Sequence, residues 1–208
     1  MAAAPPLQLG QPGVTYLDIP AIRLEIQSLT PSSSEGQVNG VWNSILNSTF
    51  PNSAGYITRP QNQHNGYGGQ RGFSDFHTFH YVRNEAGEAA EEAQGGEEGG
   101  PLRRRYFLIT QCKSCTREYA DSVWNEGENQ LEGYIRGQHG CRPVGERTPV
   151  YGILANGRHV KFFKYHDSTQ TIQLWRPGTP IDGGRYFFHL RNEANRIQQA
   201  LNFIRTHH

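Results

Sequence analysis

The sequence predicts one α/β domain, a mixed central sheet flanked by helices. Three observations carry this. Strand-like and helix-like periodicities alternate along the chain, the stretch Arg104–Lys113 is apolar at both strand parities, and an Asn156-Gly157 turn joins two apolar runs. The length of 208 residues suits a single domain, read here as 14–208 behind a flexible Ala/Pro/Gln/Gly-rich leader, 1–13. Hydrophobic residues are 35%, but 24 glycines bring the apolar-plus-Gly share to about 47%, and 10 Phe, 10 Tyr and 3 Trp can build a core. A wholly disordered chain is excluded.

The elements follow in order. Pro20 opens a short helix ending before Thr30-Pro31, and Ser33 or Ser34 caps a second, with Val38, Val41, Trp42, Ile45 and Leu46 at helical spacing. Pro51 ends it. Gly55–Thr58 is a strand candidate, and 61–72 reads as a Gly/Asn/Gln-rich loop. Phe73–Val82 is aromatic and β-branched, so a strand. The Gly/Ala/Glu segment 84–100 has nothing to bury and reads as a flexible acidic loop insertion. In Arg104–Lys113, strict alternation places Phe107 and Ile109 on one face, Tyr106 and Leu108 on the other. A helix over Glu118–Arg136 follows, then a hairpin of Val150–Ala155 and Val160–Tyr165. Further strands are expected at Thr171–Trp175 and Arg185–Leu190, and a closing helix from Asn192 to Arg205.

No apolar run approaches the ~18–20 residues of a membrane span, which excludes an integral helical membrane protein. Met-Ala-Ala-Ala-Pro-Pro lacks the basic and apolar regions of a secretory signal, and three cysteines are too few and too odd for a disulfide scaffold. The expected setting is intracellular, nuclear or cytoplasmic. The net charge of +1 hides poor mixing. Six glutamates fall within 84–100, and without them 20 basic residues face 13 acidic ones, a body near +7. Such a body suits a polyanion, DNA first and RNA as the alternative. The acidic run itself would then compete with DNA for that basic face.

Chemistry gathers in three places. Asp75 lies in Gly72–His77, Gln111-Cys112-Lys113 ends the doubly buried strand, and Gln130 and Tyr134 lie one turn apart on the next helix. Gln111 and Lys113 share a face and Cys112 takes the other, while His77 shares Asp75's parity as either a packed histidine or a ligand. A lysine ending an apolar strand needs a partner, and Asp75 on the adjacent strand is the expected one. Phosphodiester hydrolysis requires oxygen ligands for Mg²⁺ or Mn²⁺ and a group that positions the attacking water. Asp75, the Gln111 amide oxygen and the Cys112 carbonyl fit the first need, and Lys113 the second.

This pattern of strand-Asp, then strand-Gln-x-Lys, then helix resembles the PD-(D/E)XK, or restriction-endonuclease-like, nuclease superfamily. Gln111-Cys112-Lys113 is similar to the Q-x-K form of Mrr-type nucleases. Val150–Phe163 resembles the hairpin after the helix in type I restriction motor subunits, and Gln130-x-x-x-Tyr134 resembles a helix motif near the scissile strand. The resemblance covers roughly 35–165. It implies Asp75 as a metal ligand, Gln111 as a weaker one, Lys113 as the catalytic lysine, and Glu35 as an additional acidic ligand. Arg103, Arg104, Arg105 and Arg117 are candidate phosphate contacts, and a homodimer is an open arrangement. Gln111 is neutral where most members carry a carboxylate, so a catalytically inactive binding module on the same fold is the alternative. A third reading takes Cys112-x-x-Cys115 and His139-x-Cys141 as zinc ligands of an interaction domain.

Overall fold

The computed structural model describes residues 13–65, 71–83, 102–140, 142, 144, 147–177 and 187–208. The leader apart from Gly13, the acidic insertion 84–100 and Cys141 lie outside them. Helices α1 (Pro20–Ser28) and α2 (Glu35–Thr49) precede strands β1 (Tyr56–Asn65), β2 (Arg71–Arg83) and β3 (Leu102–Lys113). Helix α3 (Asp121–His139) then leads to β4 (Tyr151–Asn156), β5 (His159–His166), β6 (Thr171–Leu174), the short β7 (Phe188–His189) and α4 (Ala194–Thr206). The seven strands form one mixed sheet in the order β1-β2-β3-β4-β5-β6, with β7 on β5. Among the described residues only the β3–β4 pair is parallel, and α3 is the crossover such a pair requires. The fold is therefore α/β, a mostly antiparallel mixed sheet between four helices.

Local sequence explains the boundaries. The Ser34 hydroxyl accepts from the Gln37 N–H while the Gln37 amide oxygen accepts from the Ser34 N–H, a capping box that starts α2. Its stripe Val38, Val41, Trp42, Ile45 and Leu46 is buried throughout. Two apolar clusters sit on opposite faces of the sheet. One joins α1, α2 and α4 to Leu108, Ile153 and Phe162, the other joins α3 to Ile109, Leu154 and Phe163. Neighbours in sequence fall in opposite clusters, as the period of two demands for a sheet covered on both faces.

Three expectations are corrected. Residues 61–65 and 71–72 are strand, since β1 continues to Asn65 and β2 begins at Arg71, with His64 opposite Gly72 and Asn65 opposite Arg71, while 66–70 lie outside the described residues. Backbone pairing overrides the weak β propensity of Asn, Gln and Gly there. In β3, Thr78 pairs with Leu108 but Phe79 with Tyr106, so Phe107 is the extra residue of a bulge. Phe107 and Leu108 therefore enter the same α2-side core, while Tyr106 turns to His77 and Phe79. The predicted helix 118–136 is shifted to Asp121–His139 behind a 3-10 turn at Cys115–Arg117. Among the described residues no helix is long and apolar enough to cross a membrane.

Candidate functional site

The site is built at the last residues of β3. The β2–β3 ladder stops at the Phe76–Thr110 pair, and the next inward N–H, that of Cys112, is met by a side chain. Asp75 Oδ2 accepts it at 2.7 Å. Asp75 Oδ1 accepts from Asn39 Nδ2 at 2.9 Å. Asn39 lies one turn along α2 from Glu35, so one helix face brings both groups to Asp75.

From the other side comes α3, with Glu126, Gln130 and Tyr134 at steps of four on one face. Lys113 Nζ donates to Gln130 Oε1 at 2.7 Å and stands 3.7 Å from Glu126 Oε1. Gln130 Nε2 in turn donates to Glu126 Oε1 at 3.0 Å. The expected Asp75–Lys113 ion pair is thus not direct. Asp75 is engaged by Asn39 and the Cys112 N–H, and α3 supplies the partners of the lysine. Lys113 acts on Asp75 only through its field.

These fields show in the protonation equilibria. Burial pushes the Asp75 carboxyl above its ordinary value, against the pull of the Cys112 and Asn39 bonds and the Lys113 charge. Glu35 is raised by burial and then by Asp75, with Lys113 opposing and Glu126 adding to the rise. Burial and the Asp75 charge also raise the Tyr134 phenol. Five groups from α2, β2, β3 and α3 therefore share one electrostatic neighbourhood.

Gln111 is the telling residue. It is 5% exposed, and its Oε1 is buried with no hydrogen-bond partner among the described residues. The Oδ1 of Asn39 is likewise buried and unpartnered. Leaving an acceptor so costs about 1–3 kcal/mol, which a bound cation would recover. Two carboxylates and two amide oxygens are hard ligands of the kind Mg²⁺ takes. No group of three or more His, Cys, Asp and Glu among the described residues is placed to hold a metal, so any ion here needs the amides. The residues fit a hard divalent cation and do not fit zinc. Cys112 turns its thiol into the α2-side core, where burial and then the Asp75 and Glu35 charges push its pKa well up. Only its backbone faces the site.

The remaining candidates separate. Gln130 and Tyr134 are at the site. Arg117 is on the turn after Lys113, donating to Ser122 Oγ at 3.0 Å. Arg103, Arg104 and Arg105 are not, because they begin β3, and at ~3.3 Å per residue they stand about 30 Å from Lys113. His77 is fully buried edge-on to Tyr106, a packed histidine. Sequence reading missed Asn39 and Glu126. Each had a signal in being four residues from a named candidate, Glu35 and Gln130.

A second cluster braces the strand end. Glu118, 3% exposed, pairs with Arg158 at the β4–β5 turn and accepts the Arg158 N–H at 3.0 Å. Burial pushes Glu118 up, but the Arg158 bonds outweigh it and hold the carboxyl below its ordinary value. Gly157 has φ +58, and a Cβ there would lie 2.7 Å from Glu118 Oε2 and 2.8 Å from the Cys115 Cα, so only glycine fits. Its N–H donates to the Lys113 carbonyl at 3.0 Å, tying this turn to the catalytic candidate.

The fold and site together define an α/β protein with a desolvated acid–amide–lysine cluster at the end of its parallel strand pair. In comparisons with known proteins, no family model and no curated protein matches the chain.

Proposed function

We propose that this chain is a metal-dependent nuclease of the PD-(D/E)XK type, hydrolysing DNA phosphodiester bonds at the end of β3. The observation that carries this reading is the gathering of Glu35, Asp75 and Lys113 from three elements into one electrostatic neighbourhood, at the strand end that also holds the unpartnered amide oxygen of Gln111. Asp75, Glu35, Gln111 and the Cys112 backbone are the ligands the reading assigns to Mg²⁺ or Mn²⁺. The chemistry a bound ion supplies is an activated water and neutralisation of charge on the phosphate. Lys113, held by Gln130 and Glu126, directs its ammonium at the scissile group and offsets the charge that develops there. Asp75 and Glu35 must be ionised to act, and both are raised. Activity therefore increases with pH through a range lying above the ordinary carboxylate value of ~4.

The test incubates supercoiled, linear and single-stranded DNA with Mg²⁺ or Mn²⁺, beside Asp75→Ala and Lys113→Ala. Cleavage that both substitutions abolish supports the enzyme. A second reading, an inactive binding module on the same fold, is favoured by one arrangement. Both Asp75 oxygens are already engaged by protein donors, and Gln111 brings no charge toward a cation. Salt-sensitive DNA binding without cleavage in any metal selects that module.

A further inference from the structure

The other end of the sheet carries a feature that the cutting chemistry does not use. Phe79 is fully buried yet belongs to neither apolar cluster. The α3 apolar cluster contains no residue of β1 or β2, and the end of α3 reaches this part of the sheet through Gln138 and His139, which line a cleft with Tyr106. Two guanidinium groups lie over the Phe79 ring, Arg59 from β1 at 5.4 Å and Arg104 from β3 at 5.8 Å. Tyr81 meets Phe79 edge-on and Tyr106 lies tilted against it, with centroids 5.8 and 4.9 Å away. Arg104 donates to the Tyr106 hydroxyl at 3.3 Å. In register, Arg104 faces Tyr81 and Tyr106 faces Phe79, so aromatic and arginine side chains alternate across three adjacent strands.

Beside this face opens a cleft of about 180 Å³. Arg103, Arg104, Arg105 and Arg142 line it, and none of its described lining residues is Asp or Glu. Arg142 is anchored there by Asp167 at 3.1 Å and the Thr148 carbonyl at 3.2 Å. The cleft calls for a phosphate-bearing ligand. The tyrosines narrow the class. Tyr81 is 45% exposed, and an exposed ring on a sheet face is a stacking surface for a base. Duplex bases are stacked on one another and offer no face to it.

We propose that the β1–β3 face at the start of β3 is a binding site for single-stranded nucleic acid. Bases stack on Tyr81 and Tyr106, and phosphates contact Arg104 and the adjoining cleft. Arg104 is exposed and already held by the Tyr106 hydroxyl, so little ordering is required on binding. The site stands about 30 Å from Lys113 and is independent of whether that end cuts.

The test is fluorescence anisotropy in EDTA with labelled oligothymidylate, oligouridylate and a duplex of the same length. Wild-type protein should bind a single strand roughly tenfold or more tightly than duplex, and Tyr81→Ala and Arg104→Ala should each weaken it about tenfold. Tyr81→Phe keeps the ring and should keep most of the affinity, which separates stacking from misfolding. Lys113→Ala should bind as wild type does. The proposal is overturned if Tyr81→Ala and Arg104→Ala both bind normally, if duplex binds equally well, or if polyglutamate displaces the strand as effectively as unlabelled oligonucleotide. Binding that persists in a protein with no cleavage activity defeats the nuclease reading and leaves this one standing. Cleavage without single-strand binding does the reverse.

Discussion

The two ends of β3 treat charge in opposite ways. Its last residues put Lys113 beside Asp75, amides, two further carboxylates, the start of α2 and the middle of α3, where burial raises Asp75 and Glu35. Its first residues put three arginines in a row at the surface, one of them bonded to a tyrosine hydroxyl. A desolvated mixed cluster is costly to fold and suits chemistry, because its protonation states and orphaned oxygens respond to a ligand. An exposed single-sign cluster costs little and suits affinity, because it draws a polyanion and releases its counterions. One strand thus separates a place to react from a place to hold.

Substitutions can break this contrast, and the largest effect is expected at the reactive end. Lys113→Ala should lower Mg²⁺-dependent cleavage on the order of 10²–10³-fold with single-strand binding unchanged, read by cleavage and anisotropy on one preparation. Equal losses in both assays would merge the two ends into one site. Next in size is the brace behind that end. Arg158→Ala strands the buried Glu118 carboxylate and should cost about 3 kcal/mol in urea unfolding. Because Glu118 sits below its ordinary value, its stabilisation is present above the unfolded carboxyl pKa and is lost as pH falls through the folded one. The gap between wild type and variant should therefore close in acid.

A smaller effect sharpens the electrostatics. Gln111→Glu adds the missing charge and should tighten Mn²⁺ binding on the order of tenfold by calorimetry, while raising Asp75 and Glu35 further. Unchanged affinity would remove Gln111 from the ligand set. The smallest is a gain in stability. The ionised Asp75 is held at a cost, and a turn of the Asn39 amide lets its unpartnered Oδ1 accept from the new NH2, so Asp75→Asn should raise the melting temperature at neutral pH. That gain grows as pH rises from the unfolded carboxyl value through the raised folded one, and vanishes in acid where both forms are neutral.

Much of this architecture was legible in the sequence for simple reasons. The α2 stripe and the Asn156-Gly157 hairpin follow strong local periodicities, and the doubly buried β3 follows from apolar residues at both parities. Strand parity also separated Cys112 from Lys113 correctly. The bulge at Phe107 escaped because it arises from pairing between strands and not from either strand alone. The same is true of β1 continuing to Asn65 and β2 beginning at Arg71. At the site, Glu35, Asp75, Lys113, Gln130 and Tyr134 do meet, yet the pairing within the group was misread. Which acceptor takes Lys113 depends on the side-chain reach of α3, and Asp75 is claimed by a backbone N–H at the frayed end of a ladder. Neither is written in residue spacing. The arginine run read as part of the same interface because adjacency in sequence says nothing of a strand's length in space.

The most direct measurement is Mn²⁺-dependent nicking of supercoiled DNA by wild type and Asp75→Asn, with the melting temperature taken on the same samples. We expect wild type to nick, and Asp75→Asn to melt higher and leave the plasmid intact, so that lost activity cannot be lost fold. Nicking by Asp75→Asn at the wild-type rate, or none by wild type in any divalent metal, would contradict a nuclease centre at the end of β3.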